Sequence, residues 1–197
     1  MPACVSASAS CRVLRPLPLL LSAACLLGCS IASAQATWRI EGAVGLLTDR
    51  GAGRSTGWRV SAGAEIPLGN SAWAVGPVLG FADFGDTAEG PFVQRNHRHT
   101  SGPFVGLQVA LPALEGWRAR VRVGLGAWQT ALRTTVNGAE AYQASERHVG
   151  PLVGAGLSWQ WSPALALTAS VDVGQHRFDG LPTVRPALWA LGLSASF

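Results

Sequence analysis

Residues 186–197, P-A-L-W-A-L-G-L-S-A-S-F, decide how the chain is read. Ala187, Trp189, Leu191, Leu193 and Ala195 form one apolar row, and Ala190, Gly192, Ser194 and Ser196 occupy the positions between. The period is two, that of a strand and not of a helix. A dozen residues is long for a soluble sheet, but it suits the roughly nine to eleven tilted residues that take a strand across a bilayer. The competing reading is the last strand of a soluble sandwich, and the preceding chain decides between them.

Working outward, the pattern returns in seven more segments: 37–48, 56–67, 72–84, 99–111, 117–130, 149–161 and 164–175, with the last strand running over 183–197. Segment 117–130 is the most informative. Trp117, Ala119, Val121, Val123 and Leu125 alternate with Arg118, Arg120, Arg122, Gly124 and Gly126. Three arginines on one face cannot point into lipid, and the opposite row is apolar for too long to be a wet sheet surface. In every segment the face opposite the apolar row carries the glycines, serines and charges. A lipocalin-like soluble barrel would have the reverse polarity. Pro77, within the third segment, removes a ladder donor and predicts a local irregularity.

The connections alternate as well. Short turns are predicted at 67–71, 112–116 and 162–163, and longer loops at 49–55, 83–98, 131–148 and 176–182. Long loops at one end and short turns at the other are the asymmetry of an outer-membrane barrel. The fold class expected is therefore all-β, an eight-stranded antiparallel transmembrane β-barrel over 37–197, with both mature termini periplasmic.

Residues 1–36 differ from the rest. Arg12 and Arg15 precede an uncharged, mostly apolar run over 16–32, followed by the small-x-small patterns Ala32-Ser33-Ala34 and Ala34-Gln35-Ala36. This is the layout of a secretory signal peptide. Leu26-Leu27-Gly28-Cys29 is an alternative, lipobox-like site that would leave a lipid on Cys29. All four cysteines, Cys4, Cys11, Cys25 and Cys29, lie in the leader, so no disulfide framework is expected in the mature chain. The chain has no lysine; 13 arginines face 11 acids after residue 36, a balance that disfavours a nucleic-acid surface. No later apolar run approaches the length of a spanning helix. Only a closed barrel would satisfy the backbone in lipid.

Trp38, Trp73, Trp117, Trp159 and Trp161 fall beside the predicted periplasmic strand ends, and Phe197 joins them, which predicts an interfacial aromatic girdle. Arg39, Glu41, Arg59, Glu65, Arg118, Arg120, Arg122 and Asp172 face inward and are expected to form a paired, closed polar core. Glu41 and Glu65 are assigned to the lower arginines of the fifth strand, and Asp172 to Arg122 or Arg59. His97, His99, His148 and His176 are placed at or above the outer rim. His97 and His99, beside Arg95 and Arg98, suit a wet basic loop or a phosphate contact better than a metal site. Ser170, Asp172 and His176 are the one group suggesting a hydrolase, but six residues of extended strand, roughly 20 Å, separate Ser170 from His176. No catalytic residue, metal or cofactor is assigned.

Gly150-Pro151-Leu152-Val153-Gly154-Ala155-Gly156-Leu157, followed by Ser162-Pro163-Ala164-Leu165-Ala166-Leu167, resembles strands six and seven of the outer membrane protein A-like transmembrane domain. Val75-Gly76-Pro77 and Leu193-Ser194-Ala195-Ser196-Phe197 are compatible with the same family. The resemblance implies that Phe197 is read by the barrel-assembly machinery. It also implies an interior carboxylate–guanidinium cluster, with Glu41 or Glu65 against Arg120 or Arg122. The chain stops at the barrel, so the family's cell-wall anchoring is not implied. The expected role is structural or interactive: a monomer in the Gram-negative outer membrane. Its expected partners are membrane lipids and lipopolysaccharide, with host or surface ligands at loops 84–100 and 130–148. A lipid-modifying enzyme is the second reading and a narrow pore the third.

Overall fold

The computed structural model describes residues 36–48, 55–89, 94–177 and 183–197. The chain divides into two compact units, Met1–Ala34 and Gln35–Phe197, and every described residue belongs to the second. The leader, with its cleavage sites and cysteines, and the tips of the connections at 49–54, 90–93 and 178–182 lie outside the described residues.

Eight strands follow one another: β1 (Thr37–Thr48), β2 (Ser55–Pro67), β3 (Ala74–Glu89), β4 (Gln94–Leu114), β5 (Trp117–Val136), β6 (Ala139–Gln160), β7 (Leu165–Gly174) and β8 (Ala187–Ser196). Each pairs antiparallel with its neighbours, and β8 returns to β1, from Arg39 opposite Ser196 to Thr48 opposite Ala187, closing the barrel. Closure removes both sheet edges. The alternating row of 187–196 therefore lies between β7 and β1, with Leu191 and Leu193 exposed and Ser194 buried.

The barrel is apolar outside and charged inside. Val44, Leu107, Leu125, Val153 and Leu191 stand exposed, whereas Arg59 and Asp172 are buried. The period-two pattern imposes this arrangement, since a one-residue slip would exchange the two faces of any strand. No helix among the described residues is long and apolar enough to cross a membrane.

Three predicted connections are corrected. Residues 131–148, expected as the longest loop with ends such as 134–136 extending the flanking strands, are a hairpin throughout: Val136 pairs with Ala139 around Asn137-Gly138, both at positive φ. Asn-Gly is the preferred two-residue hairpin turn because both residues tolerate that conformation. Residues 83–98 are expected as a loop with no element of its own. Instead β3 runs to Glu89 and β4 starts at Gln94, with a register shift between Asp83 and Asp86. Gly85 carries that bulge at φ 68°, and its amide donates to Asp83 Oδ1 at 2.7 Å. The predicted turn at 112–116 tightens to Glu115-Gly116, because Leu114 already pairs with Trp117. At Pro77 the ladder to β2 lapses between Gly63–Val78 and Ile66–Val75, and it resumes in the same register.

Candidate functional site

The inward rows converge on two polar layers. In the middle of the barrel, Arg59 of β2 donates through Nη2 to Glu41 of β1 and through Nη1 to Asp172 of β7, and Nη1 also reaches Ser170 Oγ at 3.3 Å. Arg122 of β5 completes the layer, 3.3 Å from Asp172 and 3.7 Å from Glu41. Two arginines and two acids balance. All four side chains are buried. A guanidinium with no exposure is tolerable only where carboxylates replace its water.

Nearer the short turns, Glu65 of β2 accepts from Arg118 Nη1 at 2.8 Å and Arg120 Nε at 2.9 Å. Arg120 also donates to Ser158. Arg39 approaches Glu41 only at 3.7 Å. The expected division of labour is thus corrected for Glu41: its closest partner is Arg59, with Arg122 and Arg39 at longer range, while Glu65 takes both lower arginines. Asp172 meets both Arg59 and Arg122.

Above the charges sits an aromatic plug. Trp128 of β5 stacks on His176, centroids 5.1 Å apart, and Phe84 of β3 meets each ring edge-on, at 5.4 Å and 4.6 Å. Leu47, Leu152 and Leu188 pack in the same buried layer. Glycine rows make the space: a Cβ at Gly126 would collide with Trp128, and one at Gly174 with His176. His176, expected at the outer rim, is instead buried, two residues beyond β7, where it forms an isolated bridge with Val184. Burial, helped by neighbouring His148 and Arg98, lowers its imidazole pKa to about 3, so it is neutral. His148 is partly buried beside it, at 6.1 Å, and accepts from the Arg177 amide at 3.1 Å. Continuing the inward even-numbered rows by one or two positions would have placed Phe84, Trp128 and His176 inside.

The described interior is filled at both levels. A water-filled pore would leave its lining accessible, yet Arg59 and Trp128 are both 0% exposed. The suggested hydrolase group does not assemble either. The Ser170 hydroxyl and Asp172 face Arg59, whereas His176 is enclosed by Phe84 and Trp128. Among the described residues no three His, Cys, Asp or Glu side chains are grouped to hold a metal.

Outside, Trp38, Trp73, Trp117, Trp159, Trp161 and Phe197 are all exposed at the short-turn ends of their strands. Trp117 faces Trp159 across β5–β6, and Trp38 exchanges backbone hydrogen bonds with Phe197 at 2.9 and 3.0 Å. Higher up, Trp58 stacks on Phe81 and Trp189 donates to Thr48 Oγ1. This second aromatic level lies outside the girdle expected from the sequence. On β8, Trp189 and Phe197 are eight residues apart. That is about 27 Å of strand, or about 20 Å along the axis at a barrel tilt near 40°, close to the apolar band of a spanning barrel.

Beyond that band β3 to β6 continue as a polar wall. The outward row of β5 changes from Val123, Leu125 and Ala127 to Gln129, Ala131 and Arg133, and on β6 Val149 gives way to Arg147 and Ser145. His99 lies 3.2 Å from Asp86 and 3.6 Å from Asp83, and Arg133 lies 3.1 Å from Glu140.

The fold and this inside-out polarity define the class: the eight-stranded antiparallel barrel shared by outer-membrane proteins. Among solved structures, the attachment invasion locus protein Ail of Yersinia pestis is similar at 16% identity, over 83% of this chain and 99% of its own, with a TM-score of 0.52. A major outer membrane protein from Thermus thermophilus is similar at 15% identity, over 82% and 99%, with a TM-score of 0.53. Ail in complex with the heparin analogue sucrose octasulfate is similar at 16% identity, over 82% and 97%, with a TM-score of 0.50. These likenesses are to the fold. No family model and no curated protein matches the chain.

Proposed function

We propose that this chain is an exported, monomeric integral outer-membrane barrel that acts as a surface-interaction scaffold. Residues 1–36 are its leader, and the short turns and both mature ends face the periplasm. The observation that carries the reading is the height difference among strands. β4, β5 and β6 have 21, 20 and 22 residues, about twice the 10 of β7 and of β8, and the extra length rises past the apolar belt as a charged wall. A membrane anchor alone has no use for such a wall. Extended paired strands hold Arg95, His97, His99, Arg133 and Arg147 in a fixed array suited to the phosphates and sugars of lipopolysaccharide or to sulfated glycans. A complex of similarly folded Ail with a heparin analogue supports polyanions as the ligand class. The finer resemblance to outer membrane protein A-like domains rests on the β6–β7 segment 150–167.

The test is an epitope inserted between Asn137 and Gly138. Surface labelling of intact cells, with heat-modifiable gel migration of the outer-membrane fraction, is expected; a soluble or inward-labelled protein would refute the reading. Binding of purified barrel to lipopolysaccharide or heparin beads should weaken when Arg95, Arg133 and Arg147 are changed together to Gln. Retention of the triple variant equal to that of the native barrel would remove the wall from the proposal.

A further inference from the structure

The interior charges do not balance at the short-turn mouth. The middle layer is neutral, with Arg59 and Arg122 against Glu41 and Asp172. The lower layer sets Arg39, Arg118 and Arg120 against Glu65 alone. Three cations and one anion leave a surplus of two positive charges. Glu115, in the adjacent β4–β5 turn, is exposed and makes no ion pair with them. These arginines line a cavity of about 200 Å³, closed around by Glu65, Ser158 and Ser196. It has room for several waters or one small oxyanion.

Arg39 is the least satisfied of the three cations. Its side chain is 6% exposed, yet Nε and Nη2 have no hydrogen-bond partner. The nearest acid, Glu41, is 3.7 Å away and already engaged by Arg59. A guanidinium taken out of water is unfavourable unless acceptors replace that water, so the site favours an acceptor brought from outside. Arg120 is held by Glu65 and Ser158, and half-exposed Arg118 stands at the opening.

We propose that this mouth binds a phosphate oxyanion. A dianionic phosphate matches the surplus of two, and its several oxygens suit guanidinium forks converging from β1 and β5. Arg39 reaches it from the closed side, Arg120 fixes the floor, and Arg118 closes over it. The Ser196 hydroxyl supplies a neutral donor. The phosphate is either free or the terminal headgroup of a lipid at the membrane edge; both present the same chemistry.

The full barrel is refolded in dodecyl maltoside, which carries no phosphate, and titrated with inorganic phosphate at constant ionic strength. Calorimetry and phosphorus-31 line width report binding. Saturable 1:1 binding is expected, weakened by at least about tenfold in Arg39→Gln and several-fold in Arg118→Gln. Arg185→Gln, exposed at the opposite end of the barrel, should bind as the native chain does. Heat-modifiable gel migration establishes that each variant is folded. Should Arg39→Gln fail to fold, exposed Arg118→Gln decides. Phosphate binding that is absent, displaced equally by chloride, or undiminished in folded Arg118→Gln would overturn the proposal. Competition by phosphatidic acid doped into the micelles would identify a lipid headgroup as the source, and its failure to compete would identify the free anion.

Discussion

Trp128 and His176 lie ring over ring inside the barrel, planes 18° apart, although one belongs to β5 and the other follows β7. β6 separates those strands, so the stack spans the lumen side of three consecutive strands. The pair exists because Gly126 and Gly174 give the rings room at the same level.

Trp128→Ala should therefore open a cavity beneath Phe84 and His176. The expected loss is about 3–5 kcal/mol of barrel stability, read as a lower urea midpoint of heat-modifiable migration. A second change, Gly126→Val, should destabilise by collision and not by cavity formation. Its cost, about 1–3 kcal/mol, should shrink when combined with Trp128→Ala.

Acid should loosen the same plug. The His176 pKa is about 3 in the folded barrel against an ordinary 6.5, so the unfolded chain takes up the proton first. Its stabilising contribution is complete above pH 6.5 and is lost as pH falls toward 3. At pH 4.5 the loss is up to roughly 3 kcal/mol. His176→Phe should flatten this part of the pH profile, isolating it from the carboxylates. An unchanged difference between pH 7.5 and 4.5 would exclude His176 as its origin.

Buried and exposed ion pairs should separate cleanly. Asp172→Asn leaves Arg59 and Arg122 to share Glu41, at a cost of about 3–5 kcal/mol. Glu140→Gln removes the exposed partner of Arg133 and should cost less than about 1 kcal/mol. Unfolding in urea at low and high salt measures both, with salt sensitivity confined to the second.

Removing Phe197 takes away both backbone bonds to Trp38 at the β1–β8 seam. Export should continue, while folded outer-membrane protein should fall several-fold in pulse-chase fractionation. Equal insertion would show that the seam closes without it.

The strand period makes the barrel legible because each face has one chemistry over many residues. Charges can be placed inside for the same reason: Arg118, Arg120 and Arg122 all fall on one row. Their pairings are harder to read, since Glu41 and Arg59 meet through barrel curvature, which a linear pattern does not contain. The hairpin at Asn137-Gly138 is visible in its turn residues, but polar strands such as 139–148 lack the apolar alternation that marks a strand in lipid. Gly85 ends the visible pattern of β3 by bulging it. His176 reads as an outer residue because histidine is usually wet, whereas the glycine at 174 makes space for it inside.

The unequal strand heights give the molecule a facing direction. With β4 to β6 long and β7 and β8 short, rotation about the barrel axis changes what a neighbour meets: a charged parapet from one side, the ends of shorter strands from the other. A neighbour arriving along the membrane plane meets the parapet from one side only. Crowding that fixes the barrel's azimuth would thus set which neighbours meet the parapet, with no change in the fold.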